Sequence, residues 1–138
     1  MRDIKFRAWD NDGKPKRGKH YHYFKLSDNL ADVWGKSNCI EQFTGLKDKN
    51  KKEYYQSDIA KQTFSIDDYF DGEHYTNSGY YIGEVVIVPS RGVCLKNPIR
   101  ISDDGTGKCN WFIPLRSYRS ELIGNIHENP ELLEAKDD

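Results

Sequence analysis

The residues that most constrain what this chain can fold into lie between positions 41 and 59. Phe43 and Leu46 on one side, and Tyr54 and Tyr55 on the other, flank Asp48, Lys49, Asn50 and Lys51. Aromatic segments around Asp, Asn and a residue able to take positive φ are what a tight hairpin needs. The stretch therefore predicts a strand, a type I turn closed by a left-handed residue, and a returning strand.

Ile4, Phe6 and Ala8 alternate with Lys5, Arg7 and Trp9, the period of a half-buried strand. Asn11, Asp12, Gly13 and Pro15 break it, and residues 20–24 alternate again, with His20 and His22 on one face and Tyr21 and Tyr23 on the other. Ser27 or Asp28 caps a predicted short helix through Leu30, Val33 and Trp34, which Gly35 ends. Residues 58–64 continue from the hairpin as a strand. Residues 65–79 show no clean period; they predict a long excursion, with a helical turn after Ser65, whose length points to function or mobility.

Residues 80–88 are the most β-prone run, apolar on both faces from Val85 to Val88 as in a central strand. Pro89, Ser90, Arg91 and Gly92 turn it into a second hairpin with residues 93–95. Residues 99–101 predict another strand, 103–107 a loop, and 111–115 an edge strand that Pro114 limits, since proline donates nothing to a ladder. Residues 121–127 alternate and close the sheet. Asn129, Pro130 and Glu131 then open a short C-terminal helix, capped by Asn129 and docked by Leu132 and Leu133, before residues 135–138 fray. Short strands with no internal repeat predict a single domain over residues 1–138, with the excursion at 65–79. Its class is mainly β, an SH3-like or small barrel-type sheet with hairpins and a short C-terminal helix.

Residues 42–59 resemble the signature of the YopX family, small proteins found mostly in bacteriophages and prophages. The family pattern reads Gln-Phe-Thr-Gly-Leu-x-Asp-x-Asn-Gly-Lys-x-Ile-Tyr-Glu-Gly-Asp-Ile, and Gln42 to Leu46, Asp48, Asn50, Lys52, Tyr55, Asp58 and Ile59 fall on it. Residues 1–10 are similar to the family's opening and residues 123–133 to its close. The departures include Lys51 and Ser57, which stand where the family has glycine, and Tyr54 and Gln56. The resemblance implies a compact β protein with an SH3-like or barrel-like core. It implies no reaction, and no functional residue to carry over.

The net charge of −1 removes the usual prior for nucleic-acid binding, yet the charge is uneven. Residues 1–25 carry eight Lys or Arg against three Asp, whereas residues 62–90 carry five acids and no Lys or Arg. No apolar run approaches the roughly 20 residues of a membrane span, and no charged-then-apolar leader opens the chain, so no membrane is expected and the cytoplasm of a bacterial host is. Cys39, Cys94 and Cys109 are odd in number and widely spaced, which argues for inert thiols rather than disulfides or a zinc knuckle.

Gly105, Gly107 and Lys108 lack the preceding buried strand and following helix of a phosphate loop. His20 and His22 share a strand face, but only His74, His127 and scattered Cys are available to complete a metal site, so the pair reads as exposed polar residues. No Gly-x-Ser-x-Gly elbow occurs, and Cys39 has no neighbours that would lower its pKa. Glu53 and Asp58 are the hairpin's possible acid and base, though Asp58 suits an acceptor for turn amides better. No catalytic residue, metal or cofactor is assigned. An enzyme would need Asp58 to meet a histidine in a deep pocket.

Two candidate surfaces are left. Asp67, Asp68, Tyr69, Tyr75 and Tyr80 combine acids with tyrosines, which offer contact area at low entropic cost and suit a basic protein partner, unless the segment folds back over the sheet. Arg2, Lys5 and Arg7, with Lys47, Lys49, Lys51 and Lys52 beside Tyr54 and Tyr55, form the second. Barrels bind single strands by stacking bases over such basic grooves, unless the lysines only solvate the tip and the tyrosines fill the core. Taken with the family resemblance, which implies a phage or prophage accessory protein, the sequence points first to a non-catalytic interaction module for a protein partner or for itself, and second to weak nucleic-acid binding.

Overall fold

The computed structural model describes residues 5–9, 21–25 and 39–134. Alternation in the first segments produces β1 (Lys5–Trp9) and β2 (Tyr21–Lys25), and the signature produces β3 (Cys39–Lys47) and β4 (Glu53–Tyr55). These form one antiparallel sheet in the order β2-β1-β3-β4. The second sheet is built from β5 (Asp58–Phe70), β6 (Glu73–Val88), β7 (Gly92–Ser102), β8 (Gly105–Lys108), β9 (Phe112–Pro114) and β10 (Ser120–Asn125). Its order is β10-β5-β6-β7-β8, with β9 also paired to β7.

The fold is mainly β, as the strand spacing predicts, but among the described residues the sheets stay open and no barrel closes. Tyr54, Ala60, Val85, Leu95 and Leu115 form the core, with Leu46, Tyr81, Val93 and Leu122 packed against it. Burying each of the Val and Leu side chains contributes about 1.5–3 kcal/mol. Tyr54 comes from the signature, so the first sheet's hairpin plugs the second sheet's inner face.

Backbone bonds then fasten the hairpin down. Lys49 N donates to Ser120 O at 2.9 Å, Ser57 N to Val85 O at 2.9 Å, and Ile126 N to Ser57 O at 3.0 Å.

Four local expectations change. Residues 65–79 hold no helical turn; β5 and β6 pair without interruption from Ile59↔Glu84 to Phe70↔Glu73. Residues 93–95 and 99–101 belong to one strand, β7, whose ladder with β6 shifts register between Ile82 and Glu84. The loop expected at 103–107 shrinks to a turn at Asp103 and Asp104, because Gly105–Lys108 pairs with β7. The C-terminal helix is only a 3-10 turn, Pro130–Leu133, and Asn129 makes no side-chain cap bond to it. The Asn129 Oδ1 instead accepts from Asn125 N at 3.4 Å.

The turn at 11–15, the helix through Leu30 and Trp34, and residues 135–138 lie outside the described residues. No helix among those described is long and apolar enough to cross a membrane.

Candidate functional site

The signature turn has the predicted form. Lys51 N donates to Asp48 O at 3.0 Å, and Lys51 is left-handed, at φ 68°. Asp48 is buried beneath it. Its Oδ1 accepts from the amides of Asn50 and Lys52, each at 2.8 Å, and its Oδ2 accepts from Leu122 N at 2.9 Å.

Behind the hairpin lies a buried ionic cluster. Arg7 Nε donates to Glu41 Oε1 at 2.7 Å, and its Nη2 donates to Asp58 Oδ1 at 2.8 Å and to Gln56 O at 3.2 Å. Asp58 Oδ2 accepts from Tyr55 N at 2.7 Å, the turn amide its place in the signature suggests. His127 Nε2 is 2.9 Å from Glu41 Oε2, and its ring stacks on Trp9 at 4.4 Å. The guanidinium also lies 3.9 Å from the ring centre of Tyr21 and 4.9 Å from that of Tyr55. Each such cation–π contact is worth about 0.5–2 kcal/mol.

One guanidinium thus serves two carboxylates, and their other partners divide them. Burial pushes the Asp58 carboxyl up to about 6, outweighing the Arg7 charge and the Tyr55 amide. Burial also acts on Glu41, but hydrogen bonding to His127 and the Arg7 charge hold it below the usual carboxylate range. The buried Tyr55 hydroxyl is pushed up to about 12.

Arg7 is therefore an internal tie and not part of a basic surface. Asp58 and His127 do join one cluster, through Arg7 and Glu41, but neither lines the depression beside Arg7 or the one over Gly105. The depression beside Arg7, of about 320 Å³, is lined by Arg7, Tyr23, Lys52, Glu53, Tyr55 and Leu122. A second, of about 330 Å³, lies over Gly105 and Gly107 with Arg100, Asp104 and Lys108, on a strand rather than at a helix start. Cys94 and Cys109 are buried, and burial raises both thiols. Among the described residues no group of three His, Cys, Asp or Glu is arranged to hold a metal ion. His20 and the side chains of His22 and Cys39 lie outside what is described.

The predicted basic groove disperses. Arg2 lies outside the described residues, and Lys5 pairs with Glu53 at 2.7 Å. Lys47, Lys49, Lys51 and Lys52 are exposed around the tip, while Tyr54 and Tyr55 are buried and give the tip no stacking platform.

The acidic segment, in contrast, gathers on one projecting element. β10 accompanies β5 only to Gln62↔Ser120, and β7 accompanies β6 only to Gly79↔Ser102. Beyond those rungs Ser65↔Ser78 to Phe70↔Glu73 form a two-stranded arm. Asp71 and Gly72 turn its tip, at φ 54° and 81°, as a two-residue hairpin loop requires. Ile66, Tyr69 and Tyr75 are 49%, 73% and 46% exposed. Asp67 accepts from Thr76 Oγ1 at 2.9 Å and lies 3.4 Å from His74 Nε2. Tyr80 stands half-buried at the root under Lys61, whose Nζ is 4.3 Å from the ring centre. Asp68 pairs with Tyr75 through the backbone, and its side chain is not described.

The family model described as YopX protein matches residues 5–134. The chain belongs to the YopX family. Among solved structures this YopX chain is similar to the crystal structure of protein EF1440 from Enterococcus faecalis, at 22% identity and a TM-score of 0.41, covering 95% of this chain and 98% of that one. No curated protein matches it. Lys51 and Ser57, the two positions where this chain lacks a glycine of the YopX pattern, both have positive φ, at 68° and 73°. Sequence reasoning missed Ile66 and the turn Ser117–Arg119 beside the arm's root, where Tyr118 is 74% exposed; no periodicity marks either.

Proposed function

We propose that this YopX chain is a non-catalytic interaction module, an accessory protein of phage or prophage type in the bacterial cytoplasm, and that it binds protein through the β5–β6 arm. The observation that carries this is the arm's exposure. A two-stranded ribbon is marginal in water, yet Ile66, Tyr69 and Tyr75 hold apolar surface out on it. Asp67, Asp71 and Glu73 lie among them, and no Lys or Arg occurs from residue 62 to residue 90, which suits a basic protein surface.

A photo-crosslinking residue at position 66 of the full chain, expressed in a bacterial host, is expected to give covalent adducts with protein. The same probe at Lys108, on the exposed β8 strand, is the control. Position 66 giving no more protein adduct than position 108 overturns the proposed function.

A further inference from the structure

Deepening that proposal and resting on it, we propose that the arm's protein partner is a second copy of this chain. β5 pairs with β5 of the second copy, antiparallel, about a twofold axis near the middle of the arm. The lane beside β5 that β10 occupies ends at Gln62↔Ser120. Among the described residues no strand continues it, so residues 64–70 present an open edge roughly 20 Å long at about 3.4 Å per residue. The turn Ser117–Arg119 closes the lane end-on, with Thr63 Oγ1 donating to Arg119 O at 3.4 Å.

Opposite charges stand at the two ends of this edge. At the root, Arg116 is exposed, and the Nε of Arg119 is buried with no hydrogen-bond partner among the described residues. At the tip, Asp71 and Glu73 are exposed and make no ion pair with a described residue. In an antiparallel pair centred near Asp67, a residue four positions beyond the axis faces one four positions before it. Asp71 then lies against Thr63 of the second copy, beside its Arg119. Each acidic tip meets the other copy's arginines, both contacts are the same, and the assembly closes at two. The two exposed ribbons become one four-stranded sheet with Ile66 near its centre; the two Asp67 carboxylates face each other across the axis, each 3.4 Å from its own His74, and the end contacts must outweigh that like-charge pair.

Sedimentation equilibrium of the full chain between about 1 μM and about 1 mM tests this. A dimer is expected. Arg116→Glu with Arg119→Glu, and separately Asp71→Lys with Glu73→Lys, are each expected to weaken it at least about tenfold, and joining all four to restore it. Asp71 and Glu73 are both exposed, so their variant keeps the test open if changing Arg119 disturbs folding, which circular dichroism reports. A wild-type monomer throughout, or a dimer that neither reversal weakens, overturns the proposal. If the protein is monomeric while the probe at position 66 captures a different protein, self-pairing fails and the interaction function stands.

Discussion

Lys51 and Ser57 hold a backbone conformation that L side chains enter only at a cost. Their φ angles of 68° and 73° crowd Cβ against the following carbonyl, at about 1 kcal/mol or more per residue. Glycine's larger unfolded freedom offsets part of any gain from removing that Cβ. Lys51→Gly and Ser57→Gly are each expected to raise the melting temperature, by the equivalent of up to about 1 kcal/mol. Thermal unfolding followed by circular dichroism measures this, and an unchanged or lower value for Lys51→Gly would refute the strain assigned to the turn. That turn was legible because Asp, Asn and glycine-type positions act on their immediate neighbours. Arg7 was not. Alternation in residues 4–9 reveals a strand but not what lies over each face, and the carboxylates that draw Arg7 inward stand 34 and 51 residues away.

At the scale of elements, β6 depends on Gly79, where the arm leaves the sheet. A Cβ there would collide with the Ile101 carbonyl oxygen and come within 2.8 Å of Ser102 Cα, both backbone atoms of β7. Gly79→Ala is therefore expected to destabilise by about 1–3 kcal/mol, against Ala's usual advantage over Gly in a strand. Gly107→Ala, with nothing within 4 Å of the added Cβ, is the control, and equal melting temperatures for the two variants would count against the close approach. The half of β6 beyond Gly79 in the chain was visible in the sequence, because Val85 to Val88 are apolar on both faces. Residues 65–79 were not visible as strands, because alternation records a buried face and nearly all the described side chains of the arm are exposed. Gly105–Lys108 misled for a related reason: its ladder with β7 uses backbone groups and leaves all four residues exposed. At Pro130–Leu133 the start signals are present, but only Leu132 and Leu133 follow to dock, and so short a helix is marginal.

Across the whole molecule, the Arg7 cluster joins β1 and β3 of one sheet to the start of β5 and the turn after β10 in the other. Its pH dependence has a definite sign. Folded Asp58 keeps its proton up to about pH 6, whereas an ordinary Asp releases it near 3.8. The native state therefore binds more protons between those values, and this group's contribution to stability falls as pH rises through them, by on the order of 3 kcal/mol in all. The downward shift of Glu41 acts below its ordinary 4.5, so the upper part of the window belongs to Asp58. The melting temperature of Asp58→Asn relative to wild type should thus climb between about pH 4.5 and about pH 6.5, and a flat difference would argue against burial as the cause. The cluster also sets an order of events during synthesis. Arg7 emerges from the ribosome early, but the second oxygen of Glu41 awaits His127, and Asp48 awaits the amide of Leu122. A nascent chain halted after β9 would hold the signature hairpin with its deepest polar groups unsealed. Chains ending before residue 127 would lack the His127 and Leu122 partners of Glu41 and Asp48, and are expected to be less stable than the full chain and cleaved faster by protease.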